Sequence, residues 1–457
     1  MLTYGIGFLA GKVVFEEKIL VTMTPTALFT AGIALTFASG TLTIDWKDGS
    51  VPENFVSGVE LMHQYVSAGT YIAEITGDLL NITKFIADNS RITTISNLKT
   101  GLLTDFVINN NLYNGVLDLS LAQVSNYVNV SSNTGLTGIT FATSGNGIVT
   151  LGRFQDCNFL SLNFTDVPIG GDFLFYRNTS LTSITFATSG NSQMTRLQVW
   201  NCNLNSLDLS NLPISSNFQC YSNINLSTLT FSATGNSTVN DFRGYSCNLS
   251  SLDLSNVPIS GYFDFKSNTN LSTITFSSSG NGTVTYFNLS NSNLSTIDLT
   301  NLQISTYFDV RNSLNLTGVT FASSGNGIVS TFRGLGCNFS SLDFTNVPIS
   351  DSFLCYNNVN LSTLTFAAAG NGALTAFSVF NCNLPNINFS VFPTSDGVVI
   401  NMTTNSMTAT EHDNQLINLD STGWINGVLT IITGNTARTS ASDTAYNNLV
   451  AKGWTIT

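Results

Sequence analysis

The chain carries a 45-residue period, and no other feature restricts its fold as much. Cys202, in the stretch 198–217 (QVWNCNLNSLDLSNLPISSN), recurs as Cys157, Cys247, Cys337 and Cys382, with Ser292 in the remaining slot. The SLDLSN core returns as SLNFTD at Ser161, SLDLSN at Ser251, TIDLTN at Thr296 and SLDFTN at Ser341. A second, related unit, FQCYSNINLSTLTF from Phe218, sits between these copies and is echoed from Phe173, Phe263, Phe308 and Phe353. Each block thus holds two unequal coils of about 21 and 24 residues, and such a chain stacks coil on coil rather than folding round one compact core. Both S-L-D-L-S and T-L-T-F-S alternate apolar and polar residues as strands do. The expected fold is mainly β, a solenoid over 81–410 with strands on two faces.

The coil length and the L-x-V-x-x-C/N-x-L signature resemble the leucine-rich-repeat family, in which a short strand, a turn held by Asn or Cys, and a return segment make one coil. The resemblance covers roughly 80–407, and its phase runs without a gap from Asp118 to Asn388. It departs from the usual family pattern in the return leg, which reads as strand rather than helix. The segments 84–95 and 105–120 are imperfect coils, as expected where a repeat array is capped.

Ahead of the array, 1–80 reads as a small β domain. TLTIDW and AGTYIAEITG alternate, and KDGS between them suits a tight turn. Trp46, Asp48 and Gly49, then His63 and Tyr65, then Gly69, Thr70 and Tyr71, resemble the W-x-D-G, H-x-Y and G-T-Y series of the PKD family of immunoglobulin-like sandwiches. That resemblance begins near residue 41, leaves 2–40 unexplained, and implies a rigid base rather than an active site. Beyond the array, EHDNQ from Glu411 breaks the phase, and WINGVLTII, the helical AYNNLVAKG and WTIT read as a β-α-β cap over 411–457.

Only 9% of residues are charged, and the net charge is −12. That balance argues against a general nucleic-acid binder. The apolar run 19–39 approaches membrane-spanning length but holds Pro25, Gly32 and five Thr, so two buried strands are expected rather than membrane insertion. The N-terminal run MLTYGIGFLAG precedes the first Lys, Lys12, so no secretion signal is expected.

The seven cysteines invite a disulfide framework, but the geometry of stacked coils opposes it. Aligned Cys recur in every second coil, which puts neighbours roughly 10 Å apart at the strand spacing of a sheet, whereas a disulfide needs Cα atoms within about 7 Å. Tetrahedral zinc is excluded by the same separation. Buried free thiols are expected, suited to a reducing compartment. The outward column Asp118, Asn163, Asp208, Asp253, Asp298, Asp343 and Asn388 alternates with Thr140, Thr185, Thr230, Thr275, Thr320 and Thr365. Its carboxylates stand too far apart to share one cation, so a solvated face with Asp–Thr hydrogen bonds is expected. Gly-Asn pairs from Gly145 onward and prolines from Pro168 onward punctuate the turns.

No catalytic constellation emerges: His63 and His412 have no nucleophile tied to them, and neither a phosphate loop nor a metal motif is present, so no cofactor is expected. The informative signal lies in where the repeat varies. Between Gly152 and Cys382 the only basic residues are Arg153, Arg177, Arg196, Arg243, Lys266, Arg311 and Arg333, all expected at outward positions on or just before the first strand of a coil. The outward rows of the same strand carry Gln198, Trp200, Tyr245 and Phe380 in one phase and Tyr176, Tyr221 and Tyr356 in the other. One face that is aromatic, basic and variable while the rest repeats has the pattern of a recognition surface for a glycan or a polar protein surface.

These features suggest a non-enzymatic surface protein of a bacteriophage virion, such as a spike, head fibre or tail appendage. In that reading the N-terminal domain attaches to other virion proteins, the solenoid meets a host glycan or protein, and the chain assembles as a homo-oligomer. A bacterial cell-surface leucine-rich-repeat adhesin and a purely architectural virion subunit are the alternatives. The likeness is to leucine-rich-repeat proteins with a PKD-like domain, of the kind found in Bacteroidetes bacteria and their phages.

Overall fold

A computed structural model describes residues 17–457, so the apolar run at 1–11 and the start of the expected 1–80 domain lie outside the described residues. The fold is mainly β, of the solenoid type, with a small helical C-terminal end. The chain divides into two compact units, Met1–Asn158 and Phe159–Thr457.

The first unit begins with two antiparallel layers. One layer places Leu42–Asp45, Tyr71–Gly77, Ile19–Met23 and Ile92–Ser96 side by side. In the other, Phe29–Phe37 lies between Glu60–Tyr65 and Ile82–Ile86. Strict alternation of burial along Ile19–Met23 shows why these residues form a half-buried strand: Ile19, Val21 and Met23 point into the core. Ile82–Ile86 then pairs in parallel with Leu103–Val107, which pairs in turn with Val124–Asn129 and Val149–Arg153. The first coil segments thus complete the antiparallel layers and also template the parallel array, which removes an unpaired edge.

The W-x-D-G, H-x-Y and G-T-Y residues converge in this unit. Trp46 is fully buried and stacks on His63 at 4.7 Å; Tyr65 meets the His63 ring edge-on at 4.9 Å and stacks on Tyr71 at 4.6 Å. Trp46 Nε1 donates to Glu53 Oε2 at 2.7 Å, and His63 Nε2 lies 2.8 Å from Asp48 Oδ2.

In the second unit one long parallel sheet runs in register through Ile169–Leu174, Met194–Gln198, Ile214–Gln219, Val239–Arg243, Ile259–Asp264, Val284–Asn288, Ile304–Asp309, Val329–Arg333, Ile349–Leu354 and Leu374–Ser378. Its inward phenylalanines stack along the coil axis: Phe263 on Phe287 at 5.3 Å, Phe287 on Phe308 at 4.9 Å, Phe332 on Phe353 at 4.9 Å. Each such ring, fully buried, contributes about 2–3 kcal/mol by leaving water. The return strands behave differently. They form separate two-stranded sheets, among them Ser206–Leu209 with Thr228–Phe231 and Ser251–Leu254 with Thr273–Phe276.

Between the two strands of a coil, a buried side chain fixes the corner. Asn223 Nδ2 donates to the carbonyls of Val199 (2.9 Å) and Cys220 (2.8 Å), while its Oδ1 accepts the Leu204 amide (3.2 Å). Asn268 and Asn358 repeat the same bonds two and six coils on. In alternate coils a cysteine occupies the corner: Cys202 Sγ donates to the Phe175 carbonyl at 3.4 Å and Cys247 Sγ to that of Cys220 at 3.3 Å. The residue that closes the first strand's exit turn takes a left-handed backbone in coil after coil, for example Asn201, Ser222, Ser246, Asn291 and Asn381. The opposite turn is held by the Gly-Asn pairs: Asn191 Nδ2 donates to the Ala187 and Asn211 carbonyls, and Gly190, at φ +81°, lies against Pro168, which a Cβ would touch at 3.2 Å.

The C-terminal end differs from a simple β-α-β cap. The segment from Glu411 lies in a 13-residue helix, Ala409–Ser421, opened by a capping box in which Thr408 and Glu411 bond reciprocally. A second helix, Asp443–Ala451, packs against the first, and the short strands Val428–Thr430 and Thr455–Ile456 extend the parallel sheet.

Replacing Asn223 by Ala leaves the buried Val199 carbonyl and Leu204 amide without partners and the Cys220 carbonyl with only the Cys247 thiol, so the stability of the full chain should fall by about 2 kcal/mol or more. Urea unfolding measures this, and a loss under about 1 kcal/mol would contradict a structural role for the corner asparagines. In the first unit, burial works to raise the Asp48 carboxyl, but bonds from the Ser50 hydroxyl and amide and from His63 outweigh it and hold it at about 2, below the ordinary 3.8. A depressed acid stabilises the fold above its unfolded pKa, and that contribution is lost as pH falls from about 4 towards 2. An Asp48→Asn variant should show a flatter stability profile across that window; an unchanged slope would contradict the assignment.

Candidate functional site

The parallel sheet of the second unit carries three outward rows, fixed by its register. The first row runs Asp172, Arg196, Asn217, Asp241, Tyr262, Tyr286, Tyr307. Two residues on, the middle row runs Leu174, Gln198, Gln219, Arg243, Asp264, Asn288, Asp309, Arg333. Beyond the strand end, at the exit corner, stand Tyr176, Trp200, Tyr221, Tyr245, Lys266, Arg311, Tyr356 and Phe380. Most of the expected aromatic and basic residues therefore follow the strand or close it, rather than preceding it.

The corner aromatics form a stack. Tyr176 lies 4.3 Å from Trp200, Trp200 5.3 Å from Tyr221, and Tyr221 4.4 Å from Tyr245, with planes within 4° to 9° of parallel. Cations close both ends: Arg177 lies 5.0 Å over Tyr176, and Lys266 Nζ lies 4.7 Å over Tyr245. Tyr356 and Phe380 make a separate stacked pair at 4.4 Å. A further stack, Tyr262–Tyr286–Tyr307 at 4.1 and 4.5 Å, stands in the first row, with Arg243 4.3 Å over Tyr262 and Arg333 5.6 Å over Tyr307. Ring faces cover one another along these stacks, so what the surface presents is ring edges, phenolic hydroxyls and the capping cations rather than open planes for a sugar.

Between the first row and the exit corner the middle row is sunk. Asp264 and Asp309 are almost fully buried although they point outward. Lys266 Nζ reaches Asp264 Oδ2 at 3.0 Å, and Asp309 takes the Tyr307 hydroxyl at 2.9 Å and faces Arg311 Nε at 3.4 Å. Burial pushes the Asp264 carboxyl above its ordinary range, against the pull of Lys266. Gln198 Nε2 donates to Gln219 Oε1, and Gln219 Nε2 to Asp241 Oδ2. Arg243 Nε pairs with Asp241 at 2.5 Å, and Arg196 clasps Asp172 through two nitrogens. Arg333 Nε is buried without a hydrogen-bond partner. Arg153 closes its strand in the first unit, where it is half-buried.

Tyr262, Tyr286, Tyr307 and the acidic partners Asp241, Asp264 and Asp309 belong to this surface but escape a reading that follows only cations and corner aromatics. Their signal is present: Tyr immediately precedes an inward Phe at Tyr262-Phe263, Tyr286-Phe287 and Tyr307-Phe308.

The cysteines offer no reactive centre. All seven are free and buried. Burial pushes Cys157, Cys202 and Cys337 up to about 12 and Cys382 to about 11, so their thiolates are not populated near neutral pH. The neighbouring Cys247 thiol and burial push the Cys220 thiol well above its ordinary range, and Cys247 Sγ donates to the Cys220 carbonyl at 3.3 Å. On the return strands Asp208 pairs with Thr230 and Asp253 with Thr275, and Thr365 Oγ1 donates to Asp343 Oδ1 at 2.8 Å. Among the described residues no cluster of three or more His, Cys, Asp or Glu could hold a metal ion, and no helix is long and apolar enough to cross a membrane. His412 Nδ1 donates to the Thr436 carbonyl at 2.9 Å within the C-terminal end.

No protein-family model matches the chain, and no curated protein or solved structure is similar to it.

A thiol reagent at pH 8 should leave the native chain unlabelled, and after unfolding it should titrate seven thiols with or without prior reduction. Fewer thiols in the unreduced sample would reveal a disulfide and contradict the corner geometry.

Proposed function

We propose that the chain is a non-enzymatic surface protein of a bacteriophage particle, a spike, head fibre or tail appendage, whose parallel sheet displays a host-recognition or attachment surface. The observation that carries this reading is the segregation of charge and aromatic rings. In the second unit every Arg and Lys before Arg438 stands on the sheet or at its exit corner, while the outward rows of the return strands hold Ser, Thr, Asp and Asn, with Gly318 at one position. Rows of hydroxyl edges, guanidinium groups and partly buried carboxylates suit a polar partner that reads hydrogen-bond positions.

The free buried thiols suit synthesis in a reducing cytoplasm followed by assembly. The leucine-rich-repeat and PKD-like resemblances, of the kind seen in Bacteroidetes bacteria and their phages, support the same setting. There the antiparallel layers of the first unit serve as the base that meets other virion proteins.

Fractionating the source and imaging the particle that contains this chain tests the setting: protrusions on a virus particle are expected, and an envelope location would replace the reading with a cell-surface adhesin. The recognition face is tested by Trp200→Ala with Tyr245→Ala, which leave the buried Asp264–Lys266 pair intact. Binding of the labelled full chain to host cells should fall at least tenfold with an unchanged melting temperature, whereas unchanged binding would rule the face out.

A further inference from the structure

The return side of the second unit contains a repeated break in strand pairing that the recognition face does not use. Return strands pair in twos, Ser161–Phe164 with Ser183–Phe186, then Ser206–Leu209 with Thr228–Phe231, and so on through Ser341–Phe344 with Thr363–Phe366. Between one pair and the next lies a seam. Between Ser183–Phe186 and Ser206–Leu209 it is a cavity of about 350 Å³ lined by Ser183, Thr185, Phe186, Thr188, Ser206 and Asp208.

The seams alter burial in a regular way. Inward residues on the first strand of each pair are sealed: Leu207, Leu209, Leu252, Leu254, Ile297 and Leu299 are at most 1% exposed. Their counterparts on the second strand are less tightly covered: Ile184, Phe186, Leu229 and Phe276 are 7–9% exposed, and Phe231, Ile274, Val319, Phe321, Leu364 and Phe366 are half-buried. Each seam therefore has an apolar floor and hydroxyl-rich walls, with one carboxylate on a wall: Asp208, Asp253, Asp298 or Asp343. Oδ1 of Asp208, Asp253 and Asp298 takes the amide two residues on, at 2.9 Å each, which leaves Oδ2 of an exposed side chain open.

We infer that these seams bind a neutral, extended, β-linked polysaccharide lying along the solenoid axis, with every second sugar ring seated in a seam. An apolar floor beneath hydroxyls and a carboxylate matches the two faces of a pyranose ring, one of C–H groups and one rim of hydroxyls. Successive seams are two coils apart, about 10 Å at the spacing of neighbouring strands, which is of the order of the disaccharide repeat of an extended β-linked chain. One carboxylate per seam, on a chain of net charge −12, selects against an anionic polymer.

The test is calorimetric titration of the full chain with β-1,4-linked oligomers of glucose, N-acetylglucosamine and xylose, from two to eight sugars. Affinity for at least one series should rise at least fivefold per added disaccharide, and Asp253→Ala with Asp298→Ala should weaken it at least tenfold while the melting temperature holds. Absence of saturable binding by all three series, or affinity independent of length, overturns the inference. So does binding that survives the aspartate variant and is lost in Trp200→Ala with Tyr245→Ala, a result that would place the sugar on the parallel sheet and leave the recognition face standing.

Discussion

The corner hydrogen bonds of Asn223, Asn268 and Asn358 are the constraint on which the rest of the second unit depends. Each amide satisfies carbonyls from two successive coils and an amide from the earlier one, groups that would otherwise be buried with at best a thiol for a partner. The thiol of a cysteine makes a weaker version of the bond from alternate coils. At one point both change together: Ser292 stands where cysteine is expected and Ser313 where asparagine is, and their hydroxyls lie 3.1 Å apart. A smaller donor at one corner is thus matched by a smaller group at the next, as a shared buried network requires.

Fixed corners align every outward side chain of the parallel sheet with its neighbours one coil away. Alignment is what turns scattered Tyr and Trp into stacks and lets a cation close each stack. The return side has no equivalent continuity, because the longer coil of each block carries the Gly-Asn turn and its strand pairs with one neighbour only. One sequence period thereby yields a continuous, decorated face and an interrupted, hydroxyl-rich one.

The period made the solenoid, the inward phenylalanines and the buried thiols legible in the sequence, since each depends on position within a coil. Features that depend on what happens between coils were harder to read. Nothing in S-L-D-L or T-L-T-F says that Leu209 is sealed while Phe231 is half-buried; that follows from which strands share hydrogen bonds. The Tyr262 stack was hidden because tyrosine there differs from the aspartate and asparagine of earlier coils, so it looked like variation rather than a run. The helix at Ala409–Ser421 was announced by Thr408 and Glu411, a spacing easily lost in a segment read as a break in phase. How Ile82–Ile86 serves both an antiparallel layer and the array, while Ile92–Ser96 joins the other layer, is a long-range pairing that local pattern does not encode.

Residue-resolved hydrogen exchange of the native chain tests most directly the claim that one face is continuous and the other interrupted. The account predicts uniformly slow exchange for the parallel-sheet amides around Phe218, Phe242, Phe263, Phe287 and Phe308. On the return strands it predicts slow amides inside each pair and fast ones facing each seam, repeating every 45 residues. Uniform protection across all the return strands would mean that they form one continuous sheet, and the two-faced account would fail.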